Sequence, residues 1–169
     1  MAVVTSAEAG IRAIDRGATV LQLRAPELSA RELELEAAVL VPRSSVPVLI
    51  SSRCDIALAS GAAGVNLPER DITVADARLL LGQRLVGRSV HSIESARQAE
   101  AEGADFVIFG PVWPSPSHSG QAARGIGALA AVADAVEIPV LAIGGVRAER
   151  VQEVLATDDR GYAAIRTFQ

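Results

Sequence analysis

The segment GPVWPSPSHSG, residues 110–120, carries several serine hydroxyls and one of the two histidines of the chain. It comes directly after the apolar run at 105–109, so its polar groups stand where a predicted strand ends. Hydroxyls and backbone N–H groups at such a turn favour anions, and a histidine side chain titrates near neutral pH. The segment therefore predicts a phosphate-handling loop, with Ser115 and Ser117 as phosphate ligands and His118 as a catalytic acid and base.

A second glycine-rich turn, Gly144 and Gly145, follows the apolar run at 139–143. Glycines let the backbone come close to a phosphate, and the start of the next helix favours negative charge. Arg166, just past the last predicted strand, adds a positive charge. We predict that Gly144, Gly145 and Arg166 bind phosphate, because barrels commonly use the loops after their last two strands for this purpose.

The run TVLQLR at 19–24 places two polar side chains on one face of a predicted strand. Side chains alternate along a strand, so Gln22 and Arg24 point away from the face that carries the two leucines. In a barrel they would point into the lumen near its top. We predict that both are catalytic residues that orient an anionic substrate, and the alternative for Arg24 is a structural ion pair with Asp55 or Glu69.

Four more polar residues stand at or just beyond the ends of the fourth and fifth predicted strands. We predict that Asn66, Asp71 and Ser89 line the substrate pocket and that His91 takes a catalytic role. The alternatives are that Asp71 caps the next helix and that His91 is a structural hydrogen bonder. Because one carboxylate is a weak metal signal, we predict no metal site.

Apolar runs typical of strands alternate along the chain with amphipathic runs typical of helices. The predicted strands are 2–5, 19–24, 46–51, 64–67, 84–89, 105–109, 139–143 and 162–165, and the helices are 6–16, 29–40, 54–60, 73–81, 92–102, 126–135 and 147–156. This order predicts a single α/β domain over 1–169, a (β/α)8 TIM barrel that is short and lacks a full eighth helix. A doubly wound open sheet is the alternative.

Composition excludes several classes of function. Half of the 169 residues are hydrophobic and 3% are aromatic, so the core must be aliphatic. The net charge of −4 and the lack of a basic stripe argue against nucleic acid, and no apolar run reaches the roughly 20 residues that cross a membrane. The chain contains no lysine, which excludes Schiff-base chemistry and a P-loop. A lone cysteine and no signal-peptide pattern predict a cytoplasmic protein.

Taken together, these motifs resemble the thiamine phosphate synthase and thiazole tautomerase (TenI) family. The resemblance covers nearly the whole chain, and its segments are QLR, LISSRCDIALASGAAGVNLPERD, GRSVHS, GADFVIFGPVWPSPSH, GIGAL and IPVLAIGG. It implies a (β/α)8 barrel that binds a thiazole phosphate at its C-terminal mouth, with the phosphate held by the loops after the last strands.

The chain departs from the synthase pattern of that family at several positions. The replacements are Pro26 for a lysine, Ser51 and Ser52 for Asn-Asp, Asn66 for a histidine, His118 for a lysine and Arg166 for a serine. A synthase must bind a pyrimidine pyrophosphate with Mg²⁺, which needs metal ligands and positive charge. A tautomerase needs a phosphate anchor and a group that moves a proton.

These departures predict a thiazole tautomerase-like isomerase that aromatises a carboxythiazole phosphate without a cofactor. The first alternative is a divergent thiamine phosphate synthase, which would use Mg²⁺, and the second is a non-catalytic phosphate-binding barrel. In each case we expect the partner to be a small phosphorylated heterocycle. The uncovered end of a barrel without its eighth helix also suggests a homodimer.

Overall fold

The computed structural model describes residues 1–114, 122–156, 161–164 and 168, and strands alternate with helices throughout. The elements are β1 (Ala2–Val4), α1 (Ala7–Asp15), β2 (Leu21–Leu23), α2 (Ala30–Arg43), β3 (Val48–Ser51), α3 (Cys54–Ser60), β4 (Gly64–Leu67), α4 (Val74–Leu81), β5 (Leu85–Val90), α5 (Ile93–Ala101), β6 (Phe106–Phe109), α6 (Gly125–Asp134), β7 (Val140–Ala142), α7 (Ala148–Leu155) and β8 (Gly161–Tyr162). Each predicted strand and helix is present, with differences only at the ends.

The strands form one eight-stranded parallel sheet in which β1 to β8 are neighbours in sequence order. Ala2 in the first strand pairs with Ala164, just beyond the last, which brings the two edges of the sheet together. This sequential order confirms the predicted TIM-barrel-like fold. In a doubly wound sheet the strands do not follow one another in sequence order, because the order reverses near the centre of the sheet. The predicted lack of an eighth helix concerns residues 165–169, of which the structure describes Phe168 alone.

Alternation along the strands separates two apolar cores. Leu21 and Leu23 belong to the larger core between the strands and the helices, as the sequence predicts. A smaller cluster inside the sheet includes Leu49, Phe106 and Ile108. Large aliphatic and aromatic side chains therefore fill the interior of the barrel below its mouth.

Serine and threonine residues begin several of the helices. Ser29 and Ser92 each form a capping box, in which the cap hydroxyl accepts a bond from the third helical residue and that residue's side chain accepts one in return. Thr73 caps α4 through its side chain. Among the described residues, no helix combines the length and apolar character that crossing a membrane requires.

A guanidinium group ties together two turns at the N-terminal end of the sheet. Arg78 in α4 donates to the carbonyl oxygens of Gly82 at 3.0 Å and Arg84 at 2.6 Å, which precede β5. It also donates to the carbonyl of Gly103 and the carboxylate of Asp105, both at 2.7 Å, just before β6. One guanidinium thus joins the turns before β5 and β6, and its charge is paired with the carboxylate of Asp105.

Candidate active site

A polar layer lies inside the barrel at the C-terminal ends of the strands. Within the described ranges, Gln22 and Asn66 are the buried polar side chains, each 3% exposed. The Nδ2 group of Asn66 donates to the hydroxyl of Ser89 at 3.0 Å, so two predicted pocket residues meet. Asn66 Oδ1 is buried and has no hydrogen-bond partner in the described part of the chain. An unsatisfied buried acceptor of this kind is suited to a donor on a ligand.

Arg24 stands above this layer, exposed to solvent. Its side chain lines a cavity of ≈ 280 Å³ together with Ser51, Ser52 and Arg53. Within the described residues, no carboxylate lies within ion-pair distance of Arg24, so the predicted alternative of a structural ion pair is wrong. The cavity thus combines an arginine without an ion-pair partner and two serines with an apolar wall, formed by Ala25, Pro26, Leu28, Ala30, Leu33 and Pro68.

Arg53, on the rim of the same cavity, is already paired. Its Nε and Nη2 atoms donate to the two carboxylate oxygens of Asp55 at 2.9 and 2.5 Å. This bond lowers the pKa of Asp55, and it raises the pKa of Arg53. The pair leaves Arg24 as the more available cation of the cavity.

Ser52 adopts a backbone conformation that is uncommon for residues other than glycine. Its φ of 66° lies in the left-handed region, where a residue other than glycine is uncommon. The turn is held by Ser52 N donating to Asn66 O at 3.1 Å and Arg53 N donating to Ser51 O at 2.8 Å. Strained residues of this kind cluster at functional sites, and this one turns the chain at the cavity wall.

The β4–α4 loop, residues 68–73, carries Asp71 to the edge of the mouth. Asp71 Oδ1 accepts from Ile72 N at 2.8 Å, ahead of the helix. Thr73 caps α4, so the alternative in which Asp71 caps that helix is wrong. Burial, followed by the nearby carboxylates of Asp71 and Asp55, raises the pKa of the Cys54 thiol at the start of α3. Asp71 N donates to the carbonyl oxygen of Pro68 at 3.1 Å, and Pro68 lines the cavity, so the loop that carries Asp71 borders it.

His91 is fixed by contacts on both sides of its ring. Nδ1 lies 2.5 Å from the carbonyl oxygen of Gly110, and because a carbonyl only accepts, this nitrogen carries the proton. Nε2 lies 3.9 Å from Glu69 Oε2, and the His91 backbone N–H donates to Glu69 Oε1 at 3.2 Å. These contacts favour the structural alternative for His91, which anchors the start of the segment after β6.

Gly144 and Gly145 have φ values of 91° and 66° and lie against the segment that follows β6. A Cβ atom on Gly144 would approach Pro111 Cβ to 2.6 Å, and one on Gly145 would approach Trp113 Cβ to 2.7 Å. The Cζ atom of Arg150 lies 5.0 Å from the centre of the Trp113 ring, and its Nη1 donates to the carbonyl oxygen of Gly145 at 2.9 Å. The glycines thus allow the loops after β6 and β7 to pack together, and their phosphate-binding role stays a prediction.

Four further residues predicted for the site lie outside the described residues, namely Ser115, Ser117, His118 and Arg166.

Sequence reasoning missed Arg88, whose guanidinium contacts the β4–α4 loop. One signal was present: an arginine inside the strand segment GRSVHS needs partners, because burying part of a charge is costly. The sequence did not say which partners these are.

Comparison with known proteins settles the family. A sequence profile described as "Thiamine monophosphate synthase", TMP-TENI, matches residues 4–168. This chain belongs to the TMP-TENI family. A Geobacter sulfurreducens member named "Putative thiamine-phosphate synthase" is 44% identical over 170 residues, which cover 98% of this chain and 77% of the relative. The thiamine-phosphate synthase of Chloroflexus aurantiacus is 37% identical over 157 residues, covering 90% and 73%.

A solved structure agrees with the fold described above. The thiamine phosphate pyrophosphorylase from Pyrococcus furiosus superposes with a TM-score of 0.87 at 31% identity, over 97% of this chain and 84% of that one. Membership in TMP-TENI confirms the family resemblance found in the sequence. The named relatives are synthases, whereas the sequence favoured the tautomerase branch of TMP-TENI.

Proposed function

We propose that this chain is a thiamine-phosphate synthase, which joins a pyrimidine pyrophosphate to a thiazole phosphate. The thiazole nitrogen would form a bond to the methylene carbon of the pyrimidine, and the bond from that carbon to pyrophosphate would break. This proposal reverses the order of the sequence-based prediction, which placed a tautomerase first. Two findings support the change: the names of relatives that match most of the chain, and the arginine-lined cavity at the mouth.

The cavity around Arg24 is the observation that carries the proposal. A pyrophosphate has several negative oxygens, and a guanidinium binds such oxygens through two parallel hydrogen bonds. The hydroxyls of Ser51 and Ser52 line the same cavity and would add neutral donors. We therefore assign Arg24 the role of holding the pyrophosphate end of the pyrimidine substrate and stabilising the charge that develops as it leaves.

The residues present fit Mg²⁺ only as an ion that binds together with the substrate. In the described part of the chain, no group of three or more His, Cys, Asp or Glu side chains could hold a metal by itself. Mg²⁺ is often held by one or two carboxylates plus substrate phosphates, and Asp71 lies on the loop whose first residue, Pro68, lines the cavity. Asp71 is thus the candidate ligand for an ion that would neutralise charge on the departing pyrophosphate.

The buried polar layer would orient the heterocycle. An aminopyrimidine offers N–H donors, and Asn66 Oδ1 is a buried acceptor without a partner. Ser89 holds the amide of Asn66 in place through its hydroxyl. We propose that the thiazole phosphate is held by the loops after the last strands, with Gly144 and Gly145 among its ligands.

A thiazole tautomerase is the second candidate, favoured by the residues at 51 and 52. The family resemblance leads one to expect Asn-Asp there, and this chain has two serines. The loss of that carboxylate weakens metal binding, whereas a tautomerase needs only a phosphate anchor and a group that moves a proton. In this candidate His118 would move the proton, and Gln22 and Arg24 would orient the substrate carboxylate.

Two assays on the purified chain distinguish the candidates. The first supplies the pyrimidine pyrophosphate and the thiazole phosphate with and without Mg²⁺ and measures thiamine phosphate by its oxidation to fluorescent thiochrome. The second supplies the carboxythiazole phosphate tautomer alone and follows aromatisation by ultraviolet absorbance. Mg²⁺-dependent thiamine phosphate supports the synthase, and metal-independent aromatisation without it supports the tautomerase. Thermal stabilisation by thiazole phosphate without turnover would indicate a binding protein.

A further inference from the structure

Arg88 ties the β4–α4 loop to the sheet. Its side chain leaves β5, and Nη1 donates to the carbonyl oxygen of Ile72 at 2.6 Å. Nη2 donates to the carbonyl of Glu69 at 2.8 Å and makes a longer contact of 3.5 Å with that of Asp71. Because these acceptors are all backbone carbonyls, the contact fixes the path of the loop.

The loop held by Arg88 brings two carboxylates to the mouth. Asp71 is the candidate ligand for Mg²⁺ with pyrophosphate, and the Glu69 side chain accepts from the backbone N–H of His91 at 3.2 Å. Two further bonds are local to the loop, from Asp71 N to Pro68 O at 3.1 Å and from Ile72 N to Asp71 Oδ1 at 2.8 Å. Such short-range bonds shape the loop and do not attach it to the barrel.

The planar fork of an arginine suits this task. Its donors diverge in fixed directions, so one guanidinium reaches the carbonyls of three residues of the same loop, whereas a lysine ammonium is a compact point charge. Ordering a loop on binding costs free energy, so a loop that is already fixed binds its ligand more tightly. Arg88 therefore contributes to binding of the pyrophosphate end by fixing the loop in advance.

We propose that Arg88 is a positioning residue of the mouth, which holds the β4–α4 loop and its Asp71 beside the cavity where the pyrophosphate end of the substrate would bind with Mg²⁺. The proposal rests on the synthase function for its ligand and on the three carbonyl contacts for its geometry. Arg88 acts through the backbone of the loop, so its loss should weaken pyrophosphate binding more than it slows the chemical step or weakens thiazole phosphate binding.

Arg78 provides a matched control. It is also an arginine fork that donates to loop carbonyls, but it lies at the opposite end of the sheet, away from the mouth. Substituting Arg78 should reduce stability without changing pyrophosphate affinity. A comparison of the two arginines separates a positioning role from a general loss of loop packing.

The experiment compares Arg88→Met, Arg88→Lys, Arg78→Met and Arg78→Lys with the wild type. Calorimetry with inorganic pyrophosphate and Mg²⁺ gives the Kd, steady-state kinetics give KM and kcat, and amide hydrogen exchange reports on residues 69–72 and His91. For Arg88→Met we expect about a tenfold rise in Kd and in KM for the pyrimidine substrate, with kcat and KM for thiazole phosphate within about twofold. Exchange in the loop should be faster, and Arg88→Lys should recover only part of the affinity.

Several results would overturn the proposal. These are equal Kd values for Arg88→Met and Arg78→Met, unchanged exchange in residues 69–72, or a wild type that does not bind pyrophosphate with Mg²⁺. Failure of the proposed function gives a different result, namely a wild type that binds pyrophosphate but forms no thiamine phosphate. In that case the Kd values and the exchange rates still decide the role of Arg88.

Discussion

The two ends of the barrel use an arginine fork differently. At the N-terminal end, Arg78 donates to three carbonyls and also pairs with the carboxylate of Asp105, so its charge is neutralised. At the C-terminal end, Arg88 donates to backbone carbonyls of the β4–α4 loop, which carries Asp71 and borders the cavity at Pro68. At the N-terminal end the arginine is paired with a carboxylate. At the C-terminal end Arg88 binds backbone carbonyls, and Arg24 has no ion-pair partner among the described residues, so its charge is available to a ligand.

Glycines show the same contrast between the two ends. Gly103, in the turn before β6, has a φ of 91°, and a Cβ added there would meet nothing within 4 Å. Gly144 has the same φ, but an added Cβ would lie 2.6 Å from Pro111. Gly103 is therefore required only for its positive φ, whereas Gly144 is required both for its positive φ and because a side chain would clash with Pro111.

The largest expected effect is on Arg24, and it tests whether the mouth keeps its charge for a ligand. Arg24→Met should lower kcat/KM for the pyrimidine pyrophosphate by about 10²–10³-fold, because it removes a donor from the developing negative charge. Its Tm should stay close to that of the wild type, since Arg24 has no ion-pair partner among the described residues. Arg53→Met is the matched control, and an equal loss of kcat/KM there would contradict the distinction between free and paired cations.

The second prediction sharpens the contrast between the glycines. Gly103→Ala should lower the free energy of unfolding by about 1 kcal/mol, the cost of a left-handed alanine. Gly144→Ala should lower it by about 2–4 kcal/mol, because the overpacking against Pro111 adds to that cost. Urea denaturation measures both values. Equal losses would show that the loops after β6 and β7 adjust without cost.

A smaller effect is expected at Asn66, whose buried acceptor lacks a partner. Asn66→Leu removes both polar atoms of the amide, so the free energy of unfolding should change by less than about 1 kcal/mol. The KM for the pyrimidine substrate should rise about tenfold through the loss of one hydrogen bond. Ser89→Ala is the companion variant: it keeps the Asn66 acceptor but removes the hydroxyl that orients the amide, so the KM should rise by less than in Asn66→Leu. A large loss of stability with unchanged KM would make Asn66 a structural residue.

The smallest effect concerns pH. The bond from Arg53 lowers the pKa of Asp55, so the pair stabilises the fold above the pKa of an unfolded aspartate and this contribution is lost as the pH falls through the lower, folded value. The side chains of Arg53 and Asp55 are 39% and 64% exposed, so solvent screens the pair and its contribution should be about 0.5 kcal/mol or less. Urea denaturation of the wild type and Arg53→Met at pH 6 and below pH 4 should show a difference that shrinks with acidity. A constant difference would mean that packing of Arg53 is responsible.

The sequence was sufficient for the fold because each element has a local signature. Alternation in TVLQLR correctly predicts Leu21 and Leu23 under the helices and Gln22 inside the barrel. The same reasoning places Asn66 and Ser89 at neighbouring strand ends, where the structure finds a hydrogen bond.

Partners across loops could not be predicted, because they depend on how separate segments meet. Nothing in the spacing of His91 indicates that its ring bonds to Gly110 O or that Glu69 faces it. Asp55 pairs with Arg53, a contact that the short spacing of the two residues does suggest, and Arg24 therefore lacks the ion pair that was its alternative. Side-chain reach and backbone direction decide such contacts, and neither is a property of residue order alone.

The apolar cluster inside the barrel has a consequence for the order of events in turnover. Leu49, Phe106 and Ile108 fill the lumen below the polar layer. A ligand of the polar layer would therefore enter and leave from the C-terminal side of the barrel. In the proposed synthase reaction, a substrate that binds deeper in the lumen would bind first, and a product nearer the opening would leave first. The order of binding and release would then follow from the apolar cluster and not from the chemistry.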